Sequence, residues 1–418
     1  MRTIFTYIHT YIHTYIHTYI HTGNPCLTKT SKKRSFLSKL SIFASTLFFA
    51  ASFAAIGGSA FLGCIGLTSS IADEANTTYK ASDGGKIILS KMILSEDGKT
   101  LVSYPSATGS VTIPSGVTSI SSQAFEDCIG LTSVNIPDSV TEIGFSAFKG
   151  CTGLTSVNIP DSVTEIPYRA FEGCTGLRSM SIGSGVMGIG SEAFANCTGL
   201  TSVNIGSGVT YIGGGAFEDC TGLTSVSIPD SVTEIGGYAF KGCTGLTSVT
   251  IGSGVTSIGQ GAFYGCTGLT SVSIPDSVTE IGGGAFYDCT GLTSVKIPDS
   301  VTSIGEGAFA GCTGLTSVSI GSGVTDIGRG AFAGCTGLTS VKIPDSVTDI
   351  DRYAFAGCTG LRSIIFDSPA GWYYTDIVDY SLKKTGGTRC SLADPATNAV
   401  YFRRGGGTPN KEYIWYKN

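Results

Sequence analysis

Apolar and polar residues alternate in a pattern that returns every 23 residues between positions 111 and 361. In one copy, Val134 and Ile136 fall on one face of an extended segment and Ser133 falls on the other, which is the alternation of a half-buried β-strand. Later in the same copy, Phe148 and Cys151 stand three residues apart. This spacing predicts a single tight turn of α- or 3₁₀-helix on the opposite side of the coil.

Eleven copies follow one another in strict register. A unit of this size cannot bury its apolar positions alone, so we expect successive units to stack around one continuous core. The corners read Pro-Asp-Ser or Gly-Ser-Gly, and both triplets supply turn chemistry. The pattern therefore predicts a β-rich solenoid of about eleven 23-residue coils, with a parallel sheet on one face and short helical turns on the other. One cysteine marks each coil: Cys128, Cys151, Cys174, Cys197, Cys220, Cys243, Cys266, Cys289, Cys312, Cys335 and Cys358.

The repeat L-x-x-V-x-I-P-x-x-V-x-x-I-G-x-x-A-F-x-x-C-x-x resembles the BspA-like, or Treponema-type, subclass of leucine-rich repeats. The resemblance covers the whole array, and it extends to the segment from Gly85 to Pro114 and to the aromatic tail from Trp372. It implies a surface-exposed protein that mediates attachment to host matrix or to other microbes. The family's motif fixes no binding residues, so none is transferred to this chain.

Five segments are predicted, and the caps on the two sides of the array follow from the resemblance. They are a low-complexity Thr-Tyr-Ile-His tract (1–28), a signal or anchor segment (29–72), an N-terminal hairpin cap (73–110), the leucine-rich-repeat solenoid (111–366) and a C-terminal aromatic cap (367–418). The tract can be encoded by one repeated tetranucleotide, ACAT. Two readings stay open: a start codon placed too far upstream, or a tract that switches the reading frame by slippage.

The segment 29–72 predicts export. Five basic residues between positions 29 and 39 precede an uncharged stretch from Leu40 to Ser70, which is the order of a signal peptide. The stretch also exceeds the ~20 residues that a membrane-spanning helix needs, so a single anchor is an alternative. Residues 61–64 resemble a bacterial lipobox that would acylate Cys64, although Phe61 and Leu62 depart from its usual form and residues 59–69 also resemble a decayed repeat. We expect a cell-surface, outer-membrane-associated or secreted protein.

Net charge and the positions of the histidines limit the classes of function that are open to this chain. The segment 111–365 carries nine basic and twenty-one acidic residues, a net charge of −12, which disfavours nucleic acid as a partner. All four histidines lie between His9 and His21, so no residue from Thr22 onward can supply imidazole for a nucleophile or a metal. The corner aspartates recur in many coils, which indicates a structural role. We therefore predict no enzymatic activity, no cofactor and no metal site.

The eleven repeated cysteines are predicted to be buried free thiols. Identical positions in identical coils form one column about 4.8 Å apart, and parallel side chains leave their Cβ atoms farther apart than the ~3.5–4.5 Å of a disulfide. A zinc array is a weaker alternative, because a tetrahedral site needs ligands that converge from several directions.

The outward positions of the strands are the candidate binding surface for a macromolecular partner, a protein or a glycan. Small polar side chains and two lysines are adaptable there, but a passive surface spacer without a specific ligand would carry the same residues. A ladder of threonines raises ice binding as a third and remote alternative. The predicted partner-binding residues are Asn135, Asn158, Asn204, Lys296 and Lys342.

Overall fold

The structure is a computed structural model that describes residues 79–81, 87–89, 92–376, 388–390, 394–403 and 413–417. All of these belong to one compact unit, Asn76–Asn418. The predicted tract, export signal and acylated Cys64 lie outside the described residues. Among the helices of the described part, none has the length and apolar character needed to cross a membrane.

The described part of the chain contains thirty strands and one helix. In chain order they are β1 (Tyr79–Ala81), β2 (Ile87–Leu89), β3 (Ile93–Leu94), β4 (Thr100–Ser103), β5 (Gly109–Thr112), β6 (Ser119–Ile120), β7 (Leu131–Asn135), β8 (Glu142–Ile143), β9 (Ser156–Ile159), β10 (Glu165–Ile166), β11 (Ser179–Ile182), β12 (Gly188–Ile189), β13 (Ser202–Asn204), β14 (Tyr211–Ile212), β15 (Ser225–Ser227), β16 (Glu234–Ile235), β17 (Ser248–Thr250), β18 (Ser257–Ile258), β19 (Ser271–Ser273), β20 (Glu280–Ile281), β21 (Ser294–Lys296), β22 (Ser303–Ile304), β23 (Ser317–Ser319), β24 (Asp326–Ile327), β25 (Ser340–Ile343), β26 (Asp349–Ile350), β27 (Ser363–Phe366), β28 (Trp372–Asp376), β29 (Thr388–Cys390), α1 (Pro395–Arg403) and β30 (Tyr413–Lys417).

The odd-numbered strands from β5 to β27 form the long-strand face of the solenoid. Each pairs in parallel with the strand one repeat away, as in Met180 opposite Val157, and this confirms the predicted parallel sheet. The strands divide into a five-stranded sheet from β5 to β13 and a seven-stranded sheet from β15 to β27. Val134 is buried and Asn135 is exposed, as the alternation of the sequence predicts.

A second parallel sheet, which the sequence pattern does not predict, runs along the array. Its strands have only two residues in most coils, such as Glu142–Ile143, with the isoleucine buried and the preceding residue turned outward. They pair in register from β4 to β8 and from β10 to β26. A two-residue strand has only one inward and one outward residue, and this is too short an alternation to be recognised as a strand in the sequence.

The third side of each coil consists of overlapping β-turns, where the sequence predicted a turn of helix. In the coil around Phe148, three backbone amides donate hydrogen bonds to the carbonyl oxygen three residues earlier in the chain. The three amides between them donate to carbonyl oxygens of the next coil. A helix would use every amide internally, whereas stacking requires half of them to point along the solenoid axis. The intracoil bonds are 147 to 144, 149 to 146 and 151 to 148 (3.1–3.2 Å), and the intercoil bonds are 146 to 168, 148 to 170 and 150 to 172 (2.8–3.0 Å).

The core is a set of one-dimensional stacks. The phenylalanines from Phe125 to Phe355 lie in one column with neighbouring ring centroids 4.9–5.4 Å apart. The eleven repeat cysteines form a second column, and all are buried without disulfides, which confirms the predicted free thiols. Each thiol donates to the carbonyl oxygen of the aromatic residue one coil earlier, as from Cys151 to Phe125 at 3.1 Å. Burial raises the pKa of Cys266 and of Cys312 to about 12.

Both ends of the array are covered. At the start, β3 and β4 form a hairpin around Gly98, and β4 already pairs in parallel with β6. At the other end, β30 pairs antiparallel with β26, and Phe402 of α1 packs edge-on against Phe355, the last ring of the column. The buried Asn398 amide donates to the Ile364 carbonyl oxygen (3.1 Å). These contacts cover apolar surface that the last coil would otherwise expose.

Candidate functional site

The five predicted binding residues all project outward from the long-strand face. Asn158 and Asn204 flank Ser181 on adjacent strands in direct register, and Asn135 lies on β7, beside the strand that carries Asn158. The structure therefore brings the three asparagines together on the five-stranded sheet. Their amides carry both donors and acceptors, which suits a polar partner.

The two lysines lie apart from the asparagines, on the seven-stranded sheet. Lys296 pairs in register with Ser319, and Lys342 follows on the next strand. The Lys342 ammonium forms an ion pair with Asp367 at 2.9 Å. The five residues therefore form two separate groups rather than one site.

A notch of about 580 Å³ opens at the corner beside Asn158 and Asn204. It lies where two consecutive coils, and only here in the array, carry Gly-Ser-Gly corners (183–185 and 206–208). A Cβ atom at Gly183 would lie 2.7 Å from the backbone carbon of Pro160, and one at Gly206 would lie 2.4 Å from the Gly183 oxygen. The coils approach too closely for side chains at these corners, so the surface recedes there.

The notch is lined mainly by polar groups. Asp161 lies at one edge, where its Oδ1 atom accepts hydrogen bonds from the Ser184 amide (2.6 Å) and the Ser184 hydroxyl (3.1 Å). This fixes the carboxylate in place in the notch, which Asn158 and Asn204 also line. The notch is therefore a rigid, hydrogen-bonding surface.

Sequence reasoning missed the turn face, which is the side formed by the overlapping β-turns. It carries most of the exposed aromatic side chains of the described residues, and it carries ion pairs between neighbouring coils such as Lys241 to Glu218 (2.7 Å). Tyrosine and arginine are enriched at protein interfaces, whereas serine and threonine are under-represented at hot spots. The exposed aromatic residues of this face include Phe145, Tyr168, Tyr238 and Tyr264.

A signal for the turn face was available in the sequence. The repeats are nearly identical on the strands, but they differ at the two positions before the core alanine and the two positions after the core phenylalanine. These positions hold Tyr-Arg before Ala170 and Gly-Tyr before Ala239, for example. Positions that vary while the core around them is constant have no packing requirement in common, so they are candidates for recognition.

The short-strand face is acidic, with outward carboxylates that include Glu142, Glu165 and Glu234. The threonines beside these strands donate to the backbone of the preceding coil, as from Thr210 to the Met187 oxygen at 2.9 Å. Their hydroxyl protons are therefore committed within the protein. In the described part of the chain, no three His, Cys, Asp or Glu side chains converge as metal ligands.

Comparison with known proteins identifies the repeat. The family described as "BspA type Leucine rich repeat region (6 copies)" matches residues 103–224, 212–336 and 284–390. No curated protein matches the chain. This is a family of repeats and not a catalytic family.

Two solved structures are similar to this chain over most of their length. A leucine-rich repeat protein from Bacteroides ovatus has 30% identity, and the match covers 69% of this chain and 86% of that chain with a TM-score of 0.43. A leucine-rich cell surface protein from Faecalibacterium prausnitzii has 32% identity, and the match covers 69% of this chain and 88% of that chain with a TM-score of 0.42. The protein belongs to the BspA-type leucine-rich repeat family.

Proposed function

We propose that this protein is a non-enzymatic adhesin that is exported and displayed at a cell surface. Leucine-rich repeats of this family often occur in surface proteins that bind other proteins. The relative from Faecalibacterium prausnitzii is described as a cell surface protein. The predicted signal segment before the array supports the same location.

The observation that carries the proposal is the notch beside Asn158 and Asn204. It combines a fixed carboxylate, two amides and several hydroxyl groups on a scaffold whose backbone is already hydrogen-bonded from coil to coil. A rigid surface loses little conformational entropy when a partner binds, which favours affinity. We propose that a protein partner docks on the long-strand face with the notch at the centre of its contact.

Adhesion of the purified protein, and of cells that display it, to immobilised matrix proteins and to other microbial cells tests this function. The double variant Asn158→Ala with Asn204→Ala should weaken adhesion by about tenfold, through loss of hydrogen bonds worth about 1.4 kcal/mol in total. The matched control is Ser227→Ala with Ser273→Ala, which changes equivalent outward positions outside the notch.

Two results would contradict the proposal. An equal loss of adhesion in the control double variant would mean that the notch has no special role in binding. If the protein adheres no more strongly than a variant with a scrambled outward surface, the passive surface spacer is the better explanation.

A further inference from the structure

The turn face changes its profile between Tyr287 and Tyr353. The position after the core phenylalanine holds tyrosine at 264 and 287, and then alanine at 310, 333 and 356. The position before the core alanine holds glycine at 284, 307 and 330, and then Tyr353. Large side chains are therefore replaced by small ones over two successive coils, and a large one returns in the third.

This change leaves a groove of about 570 Å³. Tyr287 stands at one end and Tyr353 at the other, and Ala310, Ala333 and Gly330 belong to the floor. The floor amides are bonded to the next coil: the amide at 307 bonds the oxygen at 329 (2.8 Å), that at 311 bonds 333 (2.7 Å), and that at 330 bonds 352 (3.0 Å). The floor is therefore without free amide donors at these positions, and the lining of the groove is mainly apolar.

Tyr287, which forms one wall of the groove, is held in place by the tyrosine of the preceding coil. The ring of Tyr287 stacks on the ring of Tyr264, with centroids 4.8 Å apart and planes 2° apart. On its groove side, the Tyr287 ring lies 3.7 Å from where a Cβ atom of Gly307 would be, so glycine leaves space beside the ring. One side of this ring is thus supported by the stack and the other borders the groove.

Polar groups are present at one edge of the groove. Glu306 and Arg329 approach to 3.6 Å, with side chains that are 69% and 47% exposed. An exposed pair of this kind is worth little energetically, so both groups can exchange the contact for hydrogen bonds to a ligand. Together they carry no net charge.

We propose that this groove binds a neutral oligosaccharide. An aromatic wall and an apolar floor suit the C–H faces of sugar rings, and a carboxylate and a guanidinium at the edge suit neighbouring hydroxyl groups. Charge disfavours anionic chains, because the Glu306–Arg329 pair carries no net charge and the array around the groove has a net charge of −12, which repels sulfated or uronic-acid chains. A proline-rich peptide fits less well, since the floor amides are bonded to the next coil and the donors available to its carbonyl groups are confined to one edge of the groove.

The groove lies on a different face from the notch, so this inference goes beyond the proposed adhesion to proteins. The two can fail separately. The variant Asn158→Ala with Asn204→Ala should leave saccharide binding unchanged, and Tyr287→Ala should leave adhesion to proteins unchanged.

Isothermal titration calorimetry of the full chain tests the groove. The probes are maltotetraose, cellotetraose, laminaritetraose and N-acetylchitotetraose, with a heparin tetrasaccharide and an octaproline peptide as the other classes. We expect binding of at least one neutral tetrasaccharide. Tyr287→Ala should weaken that binding by about tenfold, through loss of the aromatic wall.

A second variant fills the groove without disturbing the fold. Ala333→Lys places in the floor the residue that occupies the same repeat position at Lys149 and Lys241, and it should abolish binding. The matched control is Tyr238→Ala, which removes an exposed tyrosine from the same face outside the groove and should bind like the unmodified protein. The proposal is overturned if no neutral tetrasaccharide binds, if only heparin or octaproline binds, or if both groove variants bind normally.

Discussion

Replacing Phe240 by alanine should destabilise the solenoid strongly. The side chain is fully buried and lies between the rings of Phe217 (5.2 Å) and Phe263 (5.3 Å). Removal of a buried phenylalanine side chain costs about 1.5–3 kcal/mol in transfer free energy. The two lost ring contacts add about 0.5–1.5 kcal/mol each.

The cavity left by this substitution cannot close easily. The backbone on both sides is tied from coil to coil, since the amide at 217 bonds the oxygen at 239 (2.7 Å) and the amide at 240 bonds the oxygen at 262 (2.7 Å). The cost should therefore lie in the upper part of the ~3–5 kcal/mol range for this substitution. Coils on the two sides should also lose part of their coupling, because each coil is stabilised only by its neighbours.

Urea unfolding followed by circular dichroism measures this loss, as a shift in the midpoint multiplied by the slope of the transition. Phe145→Ala is the matched control, because it is the same substitution at a side chain that is 61% exposed. The control should change stability by less than about 0.5 kcal/mol. An unchanged midpoint for Phe240→Ala, or an equal shift for both variants, would refute the view that the phenylalanine column is the core.

Three further outcomes are expected. Deletion of residues 367–418 should expose Phe355 and Ile364 and cause aggregation, and a truncated protein that stays monomeric and equally stable by size-exclusion chromatography and thermal unfolding would show that the segment is no cap. Burial raises the pKa of Cys266 and of Cys312 from 9.0 to about 12, so the folded state keeps protons that the unfolded state releases. These thiols should leave the free energy of unfolding unchanged below pH 9 and lower it between pH 9 and about 12. A free energy of unfolding that stays constant over this range would contradict the reasoning. Exported protein should lack the residues before about position 55–73, as N-terminal sequencing can check, and if Cys64 is acylated, labelled palmitate should be absent from Cys64→Ser.

The coil itself could be predicted because it is repeated. The alternation around Val134 indicates a strand in one copy, and ten further copies at the same spacing leave little freedom for any other fold. The turn segment was predicted less well. Spacing between Phe148 and Cys151 fits a helix and a series of β-turns equally, and only the need to bond the next coil decides between them.

The candidate sites are harder to predict, because the depth of a recess in the surface depends on the side chains of neighbouring coils. The sequence pattern identifies Asn158 and Asn204 as outward strand positions, but the notch beside them arises only because two Gly-Ser-Gly corners stack. The tyrosine groove has the same origin, since Ala310 and Ala333 matter only in relation to Tyr287. Reading one repeat at a time hides such features, whereas comparing neighbouring repeats reveals them.

The register of the strands also has an evolutionary consequence. Every coil pairs with its neighbours at a fixed offset of 23 residues, so the gain or loss of one whole unit restores the same hydrogen bonds across the new junction. Unequal recombination between near-identical repeats could therefore change the number of coils with little cost to folding. A unit lost or gained between Tyr287 and Tyr353 would change the length of the groove floor by about 4.8 Å, one strand spacing. Ligand size could in this way evolve in whole-coil steps, without any new point mutation.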